Sequence, residues 1–162
     1  MTVVFTGCQQ TPVTISDSAL ENALRTALNK SEGPIYKSDL ESLITLDLNW
    51  NNISDISALS GLTNLEELYL RENNISDISA LSGLTNLERL SLYSNNISDI
   101  SALSGLSNLE ELDLWENNIS DISALSGLTN LETLWLYGNP LSPEAINIHI
   151  PQLEARGVEV IG

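Results

Sequence analysis

The sequence predicts an α/β repeat fold, a right-handed solenoid whose coils stack their strands into one parallel sheet. The sheet lines the concave side, and short 3₁₀ or irregular turns form the convex side. A helical cap closes the N-terminal end, and a helix followed by a strand closes the C-terminal end. Three observations predict this. Leu-x-Leu-x-x-Asn recurs every 22 residues, at Leu46/Leu48/Asn51, Leu68/Leu70/Asn73, Leu90/Leu92/Asn95, Leu112/Leu114/Asn117 and Leu134/Leu136/Asn139. The segments Leu59–Ala80, Leu81–Ala102 and Leu103–Ala124 align without a gap and differ at only five columns. Within one unit, Leu65, Leu68, Leu70, Ile75, Ile78, Leu81 and Leu84 cannot share one face of a single strand or helix. A coil that turns once per unit aims all of them inward.

In chain order, residues 1–14 read as a flexible tail, 15–36 as the helical N-terminal cap, 37–138 as five repeats and 139–162 as the C-terminal cap. The tail contains FTGCQQ, a lipobox remnant in which Cys8 is a candidate lipidation site, although almost no apolar run precedes it. Cys8 as an ordinary thiol is the alternative. Asp17 to Lys30 carries Leu20, Ala23, Leu24, Ala27 and Leu28 on one helical face, and Gly33-Pro34 is expected to stop it. Ser38-Asp39-Leu40-Glu41 reads as a capping box that opens a second short helix.

A fixed period in this range with that Leu/Asn spacing is the signature of a leucine-rich repeat. Leu68-Tyr69-Leu70 alternates as a short strand with both leucines buried. Asn51, Asn73, Asn95, Asn117 and Asn139 fall at the turn leaving each strand, where an inward amide satisfies backbone groups that the bend leaves unpaired. Ser76 or Asp77 caps a single 3₁₀ turn on the return, and Gly83 and Asn86 mark the bend back. After Asn139-Pro140, Ser142-Pro143-Glu144 starts a helix and Gly157 to Ile161 reads as a closing strand.

The pattern resembles the internalin-like, 22-residue class of bacterial leucine-rich repeat proteins. The likeness rests on Asn73-Asn74-Ile75-Ser76-Asp77-Ile78 and its repeats, on Asp17 and Leu20 in the cap, and on the ending NPLSPEAINIHIPQLEARGVEVIG. It implies a protein-recognition scaffold, exported and held at the bacterial cell envelope or released outside the cell. Internalins proper carry further domains after their repeats, so host-cell invasion is not implied.

Composition narrows the function. A net charge of -16 disfavours nucleic acid and anionic membranes and favours a partner with a basic rim. No apolar run approaches the roughly 20 residues of a membrane span, which leaves a lipid anchor as the membrane attachment to consider. No cofactor, metal or catalytic group is expected: the single Cys8 and single His149 form no cluster, and the acids lack the dense oxygen spacing of a calcium loop. His149 reads as a cap residue, and a monomer is expected.

The residues flanking the strand leucines point out of the concave face. They are Asp47, Asn49 and Trp50; Glu67, Tyr69 and Arg71; Arg89, Ser91 and Tyr93; Glu111, Asp113 and Trp115; Thr133, Trp135 and Tyr137. Thr45, Glu72, Ser94, Glu116 and Gly138 flank the same strands. Four of the five variable columns fall among these positions, as do all three tryptophans and every tyrosine except Tyr36. Trp, Tyr and Arg are the residue types enriched at binding hot spots. These residues are therefore the candidate site for a protein partner. A glycan stacked on the Trp/Tyr strip is the alternative, and a consensus or duplicated scaffold without an evolved ligand is a third. Cross-strand stacking of Tyr93, Trp115 and Tyr137 accounts for that column without a ligand.

Overall fold

Six three-residue strands lie side by side in chain order, all parallel, in the computed structural model, which describes residues 11–162. Cys8 and the lipobox lie outside the described residues. The strands are β1 (Thr45–Asp47), β2 (Glu67–Tyr69), β3 (Arg89–Ser91), β4 (Glu111–Asp113), β5 (Thr133–Trp135) and β6 (Glu159–Ile161). Register follows the 22-residue period, so Leu46, Leu68, Leu90, Leu112 and Leu134 stand in one row, with Val160 closing it. Parallel pairing is possible at so short a strand length because each coil brings the chain back one spacing further along.

One continuous aliphatic core runs the length of the coil. In the unit around β2, Leu65, Leu68, Leu70, Ile75, Ile78, Leu81 and Leu84 are all buried, and the same columns are buried in the units on either side except at the N-terminal edge, where Leu43 is half-buried. Each such side chain contributes roughly 1.5–3 kcal/mol relative to exposure.

The asparagine row sits at the bend. Asn95 accepts from Ile75 N at 3.0 Å and donates to Leu70 O, Leu92 O and Tyr93 O at 2.9, 3.1 and 3.3 Å. Asn73 and Asn117 repeat the pattern, and Asn139 keeps most of it. Each amide thus bonds to its own coil and to the preceding one. A second, exposed row does similar work at the opposite bend: Asn64, Asn86 and Asn108 donate to Glu41 O, Thr63 O and Thr85 O. On the convex side Asp55, Asp77, Asp99 and Asp121 accept from Ser57, Ser79, Ser101 and Ser123 N, each at 2.8 Å, opening the 3₁₀ turns. The N-cap residues are Ile56, Ile78, Ile100 and Ile122, and the aspartate just before each, rather than the serine, supplies the side-chain acceptor.

At the N-terminal end, α1 (Ser18–Ala27) places Leu20 and Leu24 against the core. It stops at Leu28 because Asn29 turns left-handed (φ 50°), several residues before Gly33-Pro34. Asp17 caps α1 through Ala19 N and Leu20 N, and its second oxygen accepts from Ser54 N, Ser54 Oγ and Asp55 N. One carboxylate therefore joins the cap to the first repeat. The second helix, α2 (Lys37–Leu40), begins two residues earlier than the Ser38 box implies: Asp39 accepts from Tyr36 N at 2.7 Å. Lys30 pairs with the same carboxylate at 2.7 Å and lies over the Tyr36 ring, which makes the earlier start favourable.

At the C-terminal end, a π turn over Ala145–His149 runs into α3 (Ile150–Ala155), and β6 follows. Arg156 bonds to Ser126 O and Leu128 O, fastening this cap to the last convex turn.

Candidate functional site

Because side chains alternate along a strand, the leucine at the centre of each strand faces the core and its two neighbours face the concavity. The parallel register then sorts those neighbours into columns. Glu67, Arg89, Glu111 and Thr133 form one, and Tyr69, Ser91, Asp113 and Trp135 form the next. Two residues further along each strand, Arg71, Tyr93, Trp115 and Tyr137 form a third.

The middle column has small residues between two large ones, and a hollow of about 370 Å³ results. Tyr69, Tyr93, Trp115 and Trp135 are among its walls, and Arg71, Arg89, Ser91, Glu111 and Asp113 supply its polar lining. Ser91 and Asp113, read from sequence as outward-facing, are buried at 4% and 9% exposure. They are covered by Arg71, whose Nε donates to Ser91 Oγ at 2.7 Å and whose Nη2 reaches Asp113 Oδ2 at 3.1 Å. Ser91 Oγ donates in turn to Asp113 at 3.0 Å. This bridge crosses from β2 to β4.

The first column is a ladder of alternating charge. Arg89 lies 2.9 Å from Glu67 and 3.4 Å from Glu111. Burial works against the Arg89 charge, but the two carboxylates hold the guanidinium more firmly protonated than usual. Burial pushes the Tyr69 hydroxyl up, as does its hydrogen bond to Glu67 at 2.9 Å.

In the third column Trp115 sits between Tyr93 and Tyr137, with centroids 6.2 and 5.6 Å apart and both pairs tilted by 60°. The predicted stacking is therefore present. It leaves Tyr137 60% exposed, and Trp50 at the N-terminal edge 70% exposed. Trp115 Nε1 is buried with no hydrogen-bond partner among the described residues. The Glu116 carboxylate, then burial, then Glu72 push the Tyr93 hydroxyl up.

The flanking positions Trp50, Glu72, Ser94, Glu116 and Gly138 share one backbone state, a left-handed turn with φ between 51° and 78°. They form the rim where the chain leaves the strand. Among the first-repeat candidates, Asp47 and Asn49 hold the edge of the sheet: Asp47 accepts from Asn49 N, and Asn49 accepts from Arg71 N at 2.7 Å. Thr133 stands in the first column beyond Glu111. The structure thus gathers Tyr69, Arg71, Arg89, Ser91, Tyr93, Glu111, Asp113, Trp115 and Trp135 around one hollow, and leaves Asp47, Asn49 and Trp50 apart from it. Glu72 and Glu116, left out of the candidate set proper, act on Tyr93. Only their alternation with the aromatic column could have pointed to them.

No group of three or more His, Cys, Asp or Glu among the described residues has metal-holding geometry. No helix among them is long and apolar enough to cross a membrane.

The repeats match the family described as Leucine Rich repeats (2 copies) over residues 41–83, 63–105, 85–127 and 107–147. An internalin C2 of Listeria monocytogenes is 30% identical, with a TM-score of 0.65, over 95% of this chain and 79% of that one. The chain belongs to the internalin-like bacterial leucine-rich repeat family. An internalin (inlF) of the same species is 35% identical, with a TM-score of 0.67, over 82% of this chain. The chain spans about half of that protein's length, 47%. A leucine-rich repeat protein of Leptospira interrogans is 30% identical, with a TM-score of 0.71, over 81% of this chain and 34% of its own. No curated protein gives a significant match. Leucine-rich repeat solenoids of this kind are generally binding scaffolds for proteins rather than enzymes.

Proposed function

We propose that this chain is a non-enzymatic module that recognises a protein partner through its concave face, at the bacterial cell envelope or outside the cell. The observation that carries the proposal is the aromatic-walled hollow over Ser91 and Asp113, flanked by the exposed edge of the Tyr93–Trp115–Tyr137 column. Among the described residues the hollows on the convex face are smaller, about 240 and 180 Å³, and are lined by short side chains such as Ser76, Asp77, Ser98 and Asp99 with no aromatic wall. Large aromatics on a solvent-facing sheet cost solubility, and a buried partner surface is what repays them.

The internalin relatives support an exported location, and Cys8 is the proposed point of lipid attachment. A monomer suits a face open along its whole length. The partner is expected to carry basic groups, because six acids on the face (Asp47, Glu67, Glu72, Glu111, Asp113, Glu116) stand against two arginines. The Asn ladder holds the frame and is not proposed to touch the partner.

The test uses the immobilised chain as bait for surface-exposed bacterial and host-cell proteins, beside Tyr137→Ala, Trp135→Ala and a glycan array. A protein retained by the unaltered chain and lost by the two variants supports the proposal. Array hits without a retained protein would favour a glycan instead.

A further inference from the structure

Asp113 poses a physical problem that its surroundings solve in a telling way. A carboxylate at 9% exposure on an interaction face is costly unless it is paired. Its Oδ1 accepts only a 3.2 Å bond from Trp115 N, and its Oδ2 accepts from Ser91 Oγ. Among the described residues the one cation on it is the Arg71 guanidinium, which reaches across β3 and remains 44% exposed along its side chain. An arginine head is therefore already held in the hollow by a carboxylate and a hydroxyl, and the walls of that hollow include Tyr69, Tyr93, Trp115 and Trp135. Planar guanidinium groups bind such surroundings better than ammonium groups do, through forked hydrogen bonds and stacking on rings.

We propose that the hollow receives one arginine side chain of the partner protein, and that Arg71 occupies the place in the unbound chain. This rests on the concave-face reading above. Exchange of one guanidinium for another keeps Asp113 and Ser91 bonded throughout, so neither is left unpaired during binding. The gain comes from what Arg71 cannot fill, the space between Tyr69 and Trp135. The acid excess of the face favours an incoming cation, and Arg89 does not oppose it because Glu67 and Glu111 neutralise its charge. Arg71 also guards specificity, since a neutral or acidic side chain cannot displace it without stranding the Asp113 charge.

The experiment titrates the unaltered chain, Arg71→Ala and Arg71→Ala/Asp113→Asn with acetyl-Gly-Arg-Gly-amide, followed by the NMR shifts of the tryptophan indoles. The controls are the same peptide with citrulline, which keeps the shape and removes the charge, and with glutamate. An internal occupant present about nine-tenths of the time weakens a competitor about tenfold, so Arg71→Ala should bind the arginine peptide about tenfold more tightly than the unaltered chain. The citrulline and glutamate peptides should bind neither, and adding Asp113→Asn should abolish the gain. Arg71→Gln keeps the stem of the side chain and should reproduce this ranking if the alanine variant folds poorly. Equal binding of arginine and citrulline, no gain on removing Arg71, or preference for glutamate would overturn the proposal. Any of these, with partner capture still lost in Trp135→Ala, would remove the arginine and leave the concave face standing.

Discussion

Arg71 on the β2 coil and Asp113 on β4 are bonded at 3.1 Å across the whole width of β3. They are 42 residues apart in sequence and belong to different repeats. The bond links side chains of three successive coils, with Ser91 as the middle link. A double-mutant cycle on Arg71→Ala and Asp113→Ala, read by urea unfolding, is expected to show a coupling of about 1 kcal/mol, because one partner is half exposed. Additive losses would mean that the bridge does not join the coils.

The asparagine row predicts a larger effect. Asn95→Ala removes the acceptor of Ile75 N at a buried bend and leaves that donor unpaired, while Leu70 O keeps Asn73 Nδ2, Leu92 O keeps Asn117 Nδ2 and Tyr93 O keeps Glu72 N. The expected loss is about 2 kcal/mol, measured by the urea midpoint. Asn86→Ala at the exposed opposite bend should cost under about 1 kcal/mol, since water replaces its bond to Thr63 O.

Acid should loosen the N-terminal cap first. Burial pushes the Asp17 carboxyl up, but the N–H groups of Ser54, Leu20 and Asp55 and the Ser54 hydroxyl together hold it at about 2, below its ordinary 3.8. A carboxyl whose folded pKa lies below its unfolded one contributes fully above the unfolded value and loses that contribution as pH falls through the folded one. Asp55, Asp77, Asp99 and Asp121 are lowered by their bonds to Ser57, Ser79, Ser101 and Ser123, and titrate in the same sense. Melting temperatures between about pH 6 and pH 2 should fall more steeply for the unaltered chain than for Asp17→Ala. The variant itself should be less stable near neutrality by about 2 kcal/mol, the upper range for a lost N-cap. Parallel curves would show that Asp17 does not carry the cap.

The rim positions carry backbone strain that glycine relieves. Ser94 at φ 53° should become more favourable on change to Gly, by about 0.5 kcal/mol after the added unfolded-state entropy is counted. Gly138→Ala should do the reverse, because its Cβ would lie 3.3 Å from the Glu116 backbone at φ 78°. Urea midpoints of the two variants should therefore move in opposite directions.

Much of this architecture is legible in the letters. The Leu/Ile columns and the asparagine spacing specify the coil, since only a once-per-period turn buries all of them. Asp17 before Leu20 marks the first helix, and Gly157 to Ile161 marks the sixth strand. What the letters do not show arises where side chains act across repeats or where backbone state is hidden by residue type. Nothing in Arg71 announces that it will cover Ser91 and Asp113, because its reach depends on two small neighbours in the next coil. Trp50, Glu72, Ser94 and Glu116 are ordinary residues in a left-handed turn, and only Gly138 betrays the geometry. The second helix is capped at Tyr36 rather than Ser38, because the bonds of Asp39 to Tyr36 N and Lys30 outweigh local capping preference.

In the proposed function the variable concave residues, not the constant frame, hold the partner. The most direct test is calorimetric affinity for the captured partner, compared between the unaltered chain, Trp115→Ala and the convex-face variant Ser104→Ala. Trp115→Ala should weaken binding by about 2 kcal/mol or more while the coil keeps its circular dichroism, and Ser104→Ala should change nothing. Unchanged affinity in Trp115→Ala, or a comparable loss in Ser104→Ala, would contradict the account.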